Sequence, residues 1–185
     1  MGEELRKRLA EFIQARCYLR SDKPVFRLSS GEMSNFYFDL RLATLSPEGQ
    51  YLIGSVVLQK IEELGLRPKA IGGLTMGADP ISTAAAFASY LKGNPIEAFV
   101  IRKEAKAHGT MKQVEGNVNE GDPVVILDDV LTTGKSTIKA IEAARAAGLK
   151  VLAAIVLLDR GEHEGKANVE RTGVKLYGIF RKEDF

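Results

Sequence analysis

Apolar positions along this chain switch repeatedly between helical spacing and short buried runs, and that alternation sets the architecture. Leu5, Leu9, Phe12, Ile13 and Leu19 fall on one face of an opening helix. Pro24–Leu28 and Phe36–Leu40 then read as two short strands around a turn at Ser29–Ser34. Ser46-Pro47-Glu48 has the form of a helix start, with Ser as N-cap and Pro at the first helical position. Leu52, Val56 and Ile61 carry that helix on to Gly65. Beyond it the pattern predicts a strand at Lys69–Leu74, a helix at Asp79–Leu91 and a strand at Ile96–Arg102. A strand at Val124–Leu127 and a helix at Ser136–Ala147, ended by Gly148, come next. The strand Val151–Leu158, a short helix near 163–171 and a last strand at 174–180 complete the series.

Strands alternating with helices imply an α/β fold, a mainly parallel sheet flanked by helices. Residues 1–45 read as a small N-terminal hood over a core at about 46–180. In such sheets ligands gather at the carboxyl ends of the strands. Leu74–Gly77, Arg102–His108, Asp128–Ser136 and Asp159-Arg160 all fall there. One connection, Lys103–Gly121, is unusually long, with Lys103, Lys106, His108 and Lys112 and little apolar periodicity. It reads either as a solvated surface hairpin or as a mobile lid whose cations reach an anion.

Composition narrows the class of function. The 185 residues carry a net charge of only +2, without the strongly basic face of a protein that coats nucleic acid. The lone cysteine, Cys17, excludes a disulfide framework and a Cys-based zinc site, and its expected role is packing. No stretch approaches the roughly 18 apolar residues of a membrane span. The opening MGEELRKRLAEF lacks the apolar core of a signal peptide. The expectation is a cytoplasmic protein.

Residues 124–137, VVILDDVLTTGKST, carry the most chemistry. A buried strand runs into Asp128 and Asp129, then a Thr/Gly turn, then a helix start. Backbone N–H groups and the positive end of a helix dipole favour an anion there, with the Thr132, Thr133 and Ser136 hydroxyls as further donors. The adjacent carboxylates would repel a polyphosphate, so they suit a sugar diol or a metal ion. A plainer reading makes them helix-capping residues. Gly134-Lys135-Ser136 also mimics the end of a nucleotide-binding P-loop, but Asp129 stands where that motif needs its first Gly.

This segment resembles the 5-phosphoribosyl-1-diphosphate (PRPP) signature of the type I phosphoribosyltransferases. Ser30-Gly31-Glu32-Met33-Ser34-Asn35-Phe36-Tyr37-Phe38-Asp39, Gly72-Gly73-Leu74-Thr75-Met76-Gly77-Ala78 and Arg102-Lys103-Glu104-Ala105-Lys106-Ala107-His108-Gly109-Thr110 narrow the resemblance to the orotate phosphoribosyltransferases. Together with Asp159-Arg160, these blocks follow the family's order over about residues 5–180. The resemblance implies transfer of the phosphoribosyl group from PRPP to orotate, giving orotidine 5′-monophosphate and pyrophosphate in pyrimidine biosynthesis. It implies Mg²⁺ held through substrate, and a homodimer whose lid, about 103–121, closes over the neighbouring subunit's site.

The resemblance also assigns roles. Asp128 and Asp129 would hold the ribose hydroxyls, and Val130, Leu131, Thr132, Thr133, Gly134, Lys135 and Ser136 would wrap the 5′-phosphate. Arg102, Lys103, Lys106 and His108 would contact pyrophosphate, with His108 able to protonate the leaving group. Lys106, His108, Asp128 and Asp129 are thus the catalytic candidates. Arg160 would pair with the carboxylate of orotate, because a guanidinium fork matches a planar carboxylate. Thr132, Phe36 and Tyr37 would complete the base pocket.

Two positions depart from the family pattern. Ser29 and Glu32, immediately before and just after Ser30-Gly31, stand where many members carry a lysine, and Thr75-Met76 stands where many bacterial members have Tyr-Lys. Arg27 and Arg41 are the candidate replacements for the first. Rival functions are a phosphoribosyltransferase for another base and a PRPP-sensing regulator on the same fold. The lid block and Arg160 favour a carboxylated pyrimidine over another base, and 185 residues leave no expected room for the DNA-binding segment that such regulators often add.

Overall fold

A computed structural model describes residues 2–27, 31, 33–104 and 112–185. Helix α1 (Gly2–Arg16) buries Leu9, Phe12 and Ile13. It stops at Arg16, and the chain turns through the buried Cys17 into strand β1 (Tyr18–Arg20). Leu19 therefore leaves the helical face expected for it and is 45% exposed on β1. Strands β2 (Phe26–Arg27), β3 (Met33–Ser34) and β4 (Phe36–Phe38) follow. β1 pairs with β4 and β2 with β3, both antiparallel. These small ribbons are shorter than the two strands read from sequence, since they fold on themselves rather than join the main sheet.

A four-residue helix α2 (Arg41–Thr44) leads into α3 (Pro47–Glu63), where the Ser46 side chain accepts from Gly49 N as expected of an N-cap. Such a cap contributes about 1 kcal/mol. The main sheet comprises β5 (Ala70–Leu74), β6 (Glu97–Ile101), β7 (Val114–Gly116), β8 (Pro123–Leu131), β9 (Lys150–Asp159) and β10 (Leu176–Arg181). Their spatial order is β10-β9-β8-β5-β6-β7. Every neighbouring pair is parallel except β6 with β7. β7 lies inside the long connection, so part of that stretch is an edge strand rather than loop. Helices α4 (Asp79–Leu91), α5 (Lys135–Ala146) and α6 (Gly165–Glu170) complete the layers.

Successive residues of a strand face opposite sides, and the central strands show it directly. Val125 and Leu127 pack with residues of α1, α3 and α4, while Val124 and Ile126 pack with those of α5 and α6. All four are buried, because a parallel sheet covered on both faces has no solvent side. Parallel pairing also fixes the site. Leu74 lies opposite Ile101, and Leu131 opposite Asp159, so the carboxyl ends of four strands meet at one edge.

Candidate active site

The acidic pair is part of the strand rather than a tip beyond it. β8 runs on to Leu131, with Asp128 opposite Val156 on β9. Asp128 is only 5% exposed. Its Oδ2 accepts from Ser136 Oγ at 2.7 Å and Thr137 Oγ1 at 2.9 Å, and its Oδ1 from Asp129 N at 3.1 Å. Asp128 thus ties the end of β8 to the first turn of α5. Burial, and then the neighbouring Asp129 charge, push its carboxyl up to about 6. Asp129 is half-buried, and its Oδ1 accepts from Val130 N at 2.7 Å. The two carboxylates face different surroundings and are not equivalent. The turn after β5 lies against them: a Cβ on Gly77 would stand 2.9 Å from Asp129 Oδ1, so a larger residue there would push the Asp129 carboxylate aside.

The Thr/Gly turn is braced from behind by α6. Gly134 precedes α5 with φ +81, and a Cβ there would meet Gly165 O at 2.8 Å. Both the left-handed backbone and the close approach require glycine. Asn168 on α6 donates through Nδ2 to Thr133 O at 3.1 Å and to His163 O at 3.1 Å. Its Oδ1 accepts from Arg171. Thr132, Thr133 and Ser136 are half-buried, Lys135 is exposed, and Leu131 and Thr137 are buried. Leu131 and the partly buried Val130 pack into the core, which leaves mainly their backbone for a ligand. The first amides of a helix have no acceptor within it, so the loop offers N–H groups at a positive dipole end.

A second group of residues adjoins this loop, because Arg160 N donates to Leu131 O at 3.1 Å. The Arg160 guanidinium lies 4.8 Å from the Phe36 ring centroid, which brings two of the expected base-pocket residues together. Its side chain is 4% exposed and is held by Glu162, with Nε to Oε2 at 2.9 Å and Nη2 to Oε1 at 3.1 Å. A buried guanidinium needs such a partner to offset its desolvation. Tyr37 stacks on Phe26 at 6.0 Å. Of the proposed replacements for the missing lysine, Arg41 is held by Asp39 through contacts of 2.8 and 2.9 Å. That contact also holds the Asp39 carboxyl below its ordinary range.

Arg102 pairs with Glu115 on β7 at 3.1 Å, and Lys103 is exposed. Lys106 and His108 lie outside the described residues. Motif reading missed Thr137, Glu162, Asn168 and Lys182. Thr137 had a signal, as one more hydroxyl one helical step beyond Ser136; the other three act through contacts across the fold.

Among the described residues no group of three or more His, Cys, Asp or Glu is placed to hold a metal ion. Asp128 already accepts three hydrogen bonds, which leaves Asp129 as the freer carboxylate of the pair. That donor set fits an ion such as Mg²⁺, which keeps much of its water and is held largely through substrate oxygens. No helix among the described residues is long and apolar enough to cross a membrane.

The phosphoribosyl transferase domain family matches residues 47–175. The orotate phosphoribosyltransferase of Aquifex aeolicus is 47% identical over 176 residues, which are 95% of this chain and 94% of that protein. The crystal structure of the Mycobacterium tuberculosis orotate phosphoribosyltransferase with Fe(III) dicitrate superposes with a TM-score of 0.84 at 33% identity, covering 97% of this chain and 98% of that one. The same enzyme in complex with PRPP gives 0.78 at 29% identity, covering 98% and 91%. A strand-borne acidic pair, a braced Thr/Gly loop and an adjoining Phe36–Arg160 contact thus accompany similarity over nearly the whole chain, and the chain belongs to the orotate phosphoribosyltransferases.

Proposed function

We propose that this site catalyses Mg²⁺-dependent transfer of the 5-phosphoribosyl group from PRPP to orotate, giving orotidine 5′-monophosphate and pyrophosphate. The observation that carries the reading is the junction of anion loop and pocket, made by the Arg160 N to Leu131 O bond at 3.1 Å. A ligand with a 5′-phosphate on the Thr132–Ser136 loop would then present its sugar to Asp129 and its C1 toward Phe36 and Arg160.

Breaking the bond from C1 to pyrophosphate leaves positive charge on the sugar and negative charge on the departing group. Little covalent chemistry falls to the protein, so positioning and electrostatic stabilisation dominate. Asp129 holds the ribose hydroxyls and favours the cationic ring, while Asp128 keeps β8 and α5 in register. Arg102, Lys103, Lys106 and His108 serve the pyrophosphate, His108 as proton donor. When bound, Mg²⁺ would offset part of the pyrophosphate charge. Arg160 receives the carboxylate of orotate. Closing residues 103–121 over the site would exclude water and suppress hydrolysis of PRPP.

A cytoplasmic homodimer is part of the same proposal. Tyr51, Phe87 and Leu91 are 58%, 65% and 68% exposed. They line a groove of ≈ 780 Å³ between α1, α3 and α4 that a second copy would cover.

An ultraviolet assay of orotate consumption with PRPP, run with and without Mg²⁺ and beside adenine, hypoxanthine and uracil, tests the reading. Orotate should be used far faster than the others, and only with the metal. Preference for a purine would overturn the acceptor, and full turnover without Mg²⁺ would remove the metal. Lys106→Ala and His108→Ala should each lower turnover more than orotate affinity. Mixing inactive Lys103→Ala subunits with inactive Asp128→Asn/Asp129→Asn subunits should restore activity if the lid acts in trans; no recovery in mixed dimers would oppose sharing.

A further inference from the structure

A second cation reaches the base pocket from a segment that none of the motifs touch. Lys182 opens a 3₁₀ turn, Lys182–Asp184, directly after β10. Its Nζ stands 4.2 Å from the centroid of the Phe36 ring, the same ring that Arg160 approaches at 4.8 Å. Lys182 also shares the partner of Arg160, with Nζ 3.8 Å from Glu162 Oε1.

The turn that carries Lys182 is anchored at several points. Asp184 Oδ2 accepts from Arg181 N at 3.0 Å and from Arg6 Nη2 at 3.0 Å. The Phe185 ring packs on Phe38 at 5.3 Å and on Phe180 at 5.5 Å. The lysine is therefore placed by the fold, yet its side chain remains 39% exposed and open to a ligand.

Among the described residues the charge balance of the cluster is incomplete: one carboxylate, Glu162, pairs with two cations, Arg160 and Lys182, beside one aromatic face. Arg160 binds Glu162 through Nε and Nη2, and its Nη1 makes no hydrogen bond among the described residues. A flat acceptor bearing a carboxylate matches what is missing: one negative charge, on a ring that can lie near Phe36. A neutral base of the same shape does not.

We propose that Lys182 is a specificity-determining residue that receives the acceptor's carboxylate together with Arg160, while Glu162 holds the two cations side by side. This rests on the reading of Phe36 and Arg160 as the base pocket. Ser29 and Glu32, the positions without the family's lysine, lie outside the described residues. A charge-assisted contact at a partly exposed site is worth less than the buried fork of Arg160, so its loss should be felt several-fold rather than a thousandfold.

The test compares Lys182→Met, which keeps an apolar stem against Phe36, with Lys182→Arg, Arg160→Met and wild type, using orotate and uracil as alternative acceptors. Lys182→Met should raise the orotate KM about 10-fold, with kcat and the PRPP KM within about twofold of wild type. The preference for orotate over uracil should fall by the same factor, because uracil lacks the carboxylate. Lys182→Arg should recover most of the preference. An unchanged preference in Lys182→Met, with a collapse in Arg160→Met, would overturn the proposal and keep the pocket. An unchanged preference in both would overturn the pocket and the proposal together. Equal losses toward both acceptors, not recovered by Lys182→Arg, would reduce Lys182 to a structural residue.

Discussion

The loop proposed for phosphate and the residues proposed for the base sit side by side, joined by the hydrogen bond from Arg160 N to Leu131 O, yet they are assembled in opposite ways. The loop is one continuous stretch, Asp128–Thr137, from the end of β8 to the first turn of α5. Its internal bonds, from the Ser136 and Thr137 hydroxyls to Asp128, span eight and nine residues. The pocket gathers Phe36 from β4, Arg160 and Glu162 from beyond β9, and Lys182 from beyond β10. A contiguous loop can be recognised from its own residues and reused for any phosphoribosyl donor. A pocket drawn from distant segments can change its acceptor without disturbing the donor site. Under the proposed function, donor recognition would therefore belong to local sequence, and acceptor choice to the tertiary arrangement.

The sharpest way to break this contrast is to remove the loop's acidic pair. Asp128→Asn with Asp129→Asn should abolish measurable turnover. Asp129→Asn alone should cost at least about 100-fold in kcat, the scale of one preorganised polar contact to a transition state. Asp128→Asn should cost less, since that side chain serves the loop from inside. Steady-state kinetics of the three variants decide it, and a larger loss for Asp128→Asn than for Asp129→Asn would reverse the two roles.

In the pocket, Arg160→Ala should raise the orotate requirement by about 30- to 1000-fold, the worth of a charge-assisted two-pronged contact in a closed site. PRPP binding should stay nearly intact. If PRPP binding fell equally, the two regions would not be separable. Arg27→Ala and Arg41→Ala serve as controls, and a collapse of uracil discrimination in either would move the carboxylate to the N-terminal ribbons.

Asn168→Ala tests the brace behind the loop. One lost bond to Thr133 O is worth about 1 kcal/mol, so the PRPP KM should rise about fivefold with the orotate KM unchanged. An effect confined to orotate would place α6 with the pocket instead.

The smallest effect is on stability. Asp128 has its carboxyl raised from an ordinary 3.8 to about 6 by burial and then by Asp129. Between those values the unfolded chain releases its proton while the folded one keeps it, so stability falls as pH rises from about 4 to about 6. Below that window both states hold the proton and the penalty vanishes. Urea midpoints across the window should fall more steeply for wild type than for Asp128→Asn, and parallel curves would show that Asp128 does not titrate there.

Much of the fold was legible because the parallel sheet writes itself as apolar runs. The helix Asp79–Leu91 appears with the bounds that its spacing indicates, and Ser46 caps α3 as its sequence suggests. Several of the shortest elements were not legible. β1, β3 and α2 carry too few positions for any period to register, and β7 was hidden in a polar stretch because an edge strand needs little apolar sequence. Leu19 shows the same limit, since its spacing suited α1 but the helix had ended at Arg16. β8 outran its apolar run by four residues because Asp128, Val130 and Leu131 keep pairing with β9.

By itself the sequence determined the layered α/β order, the anion loop and the family, because each depends on residues near one another in the chain. Tertiary structure alone decided that Asp128 faces inward and Asp129 does not, that Glu162 reaches Lys182 as well as Arg160, and that Lys182 stands beside Phe36. The reason is physical. Burial and charge pairing are properties of what surrounds a side chain, and these surroundings come from strands and turns far apart in sequence that meet only when the sheet closes.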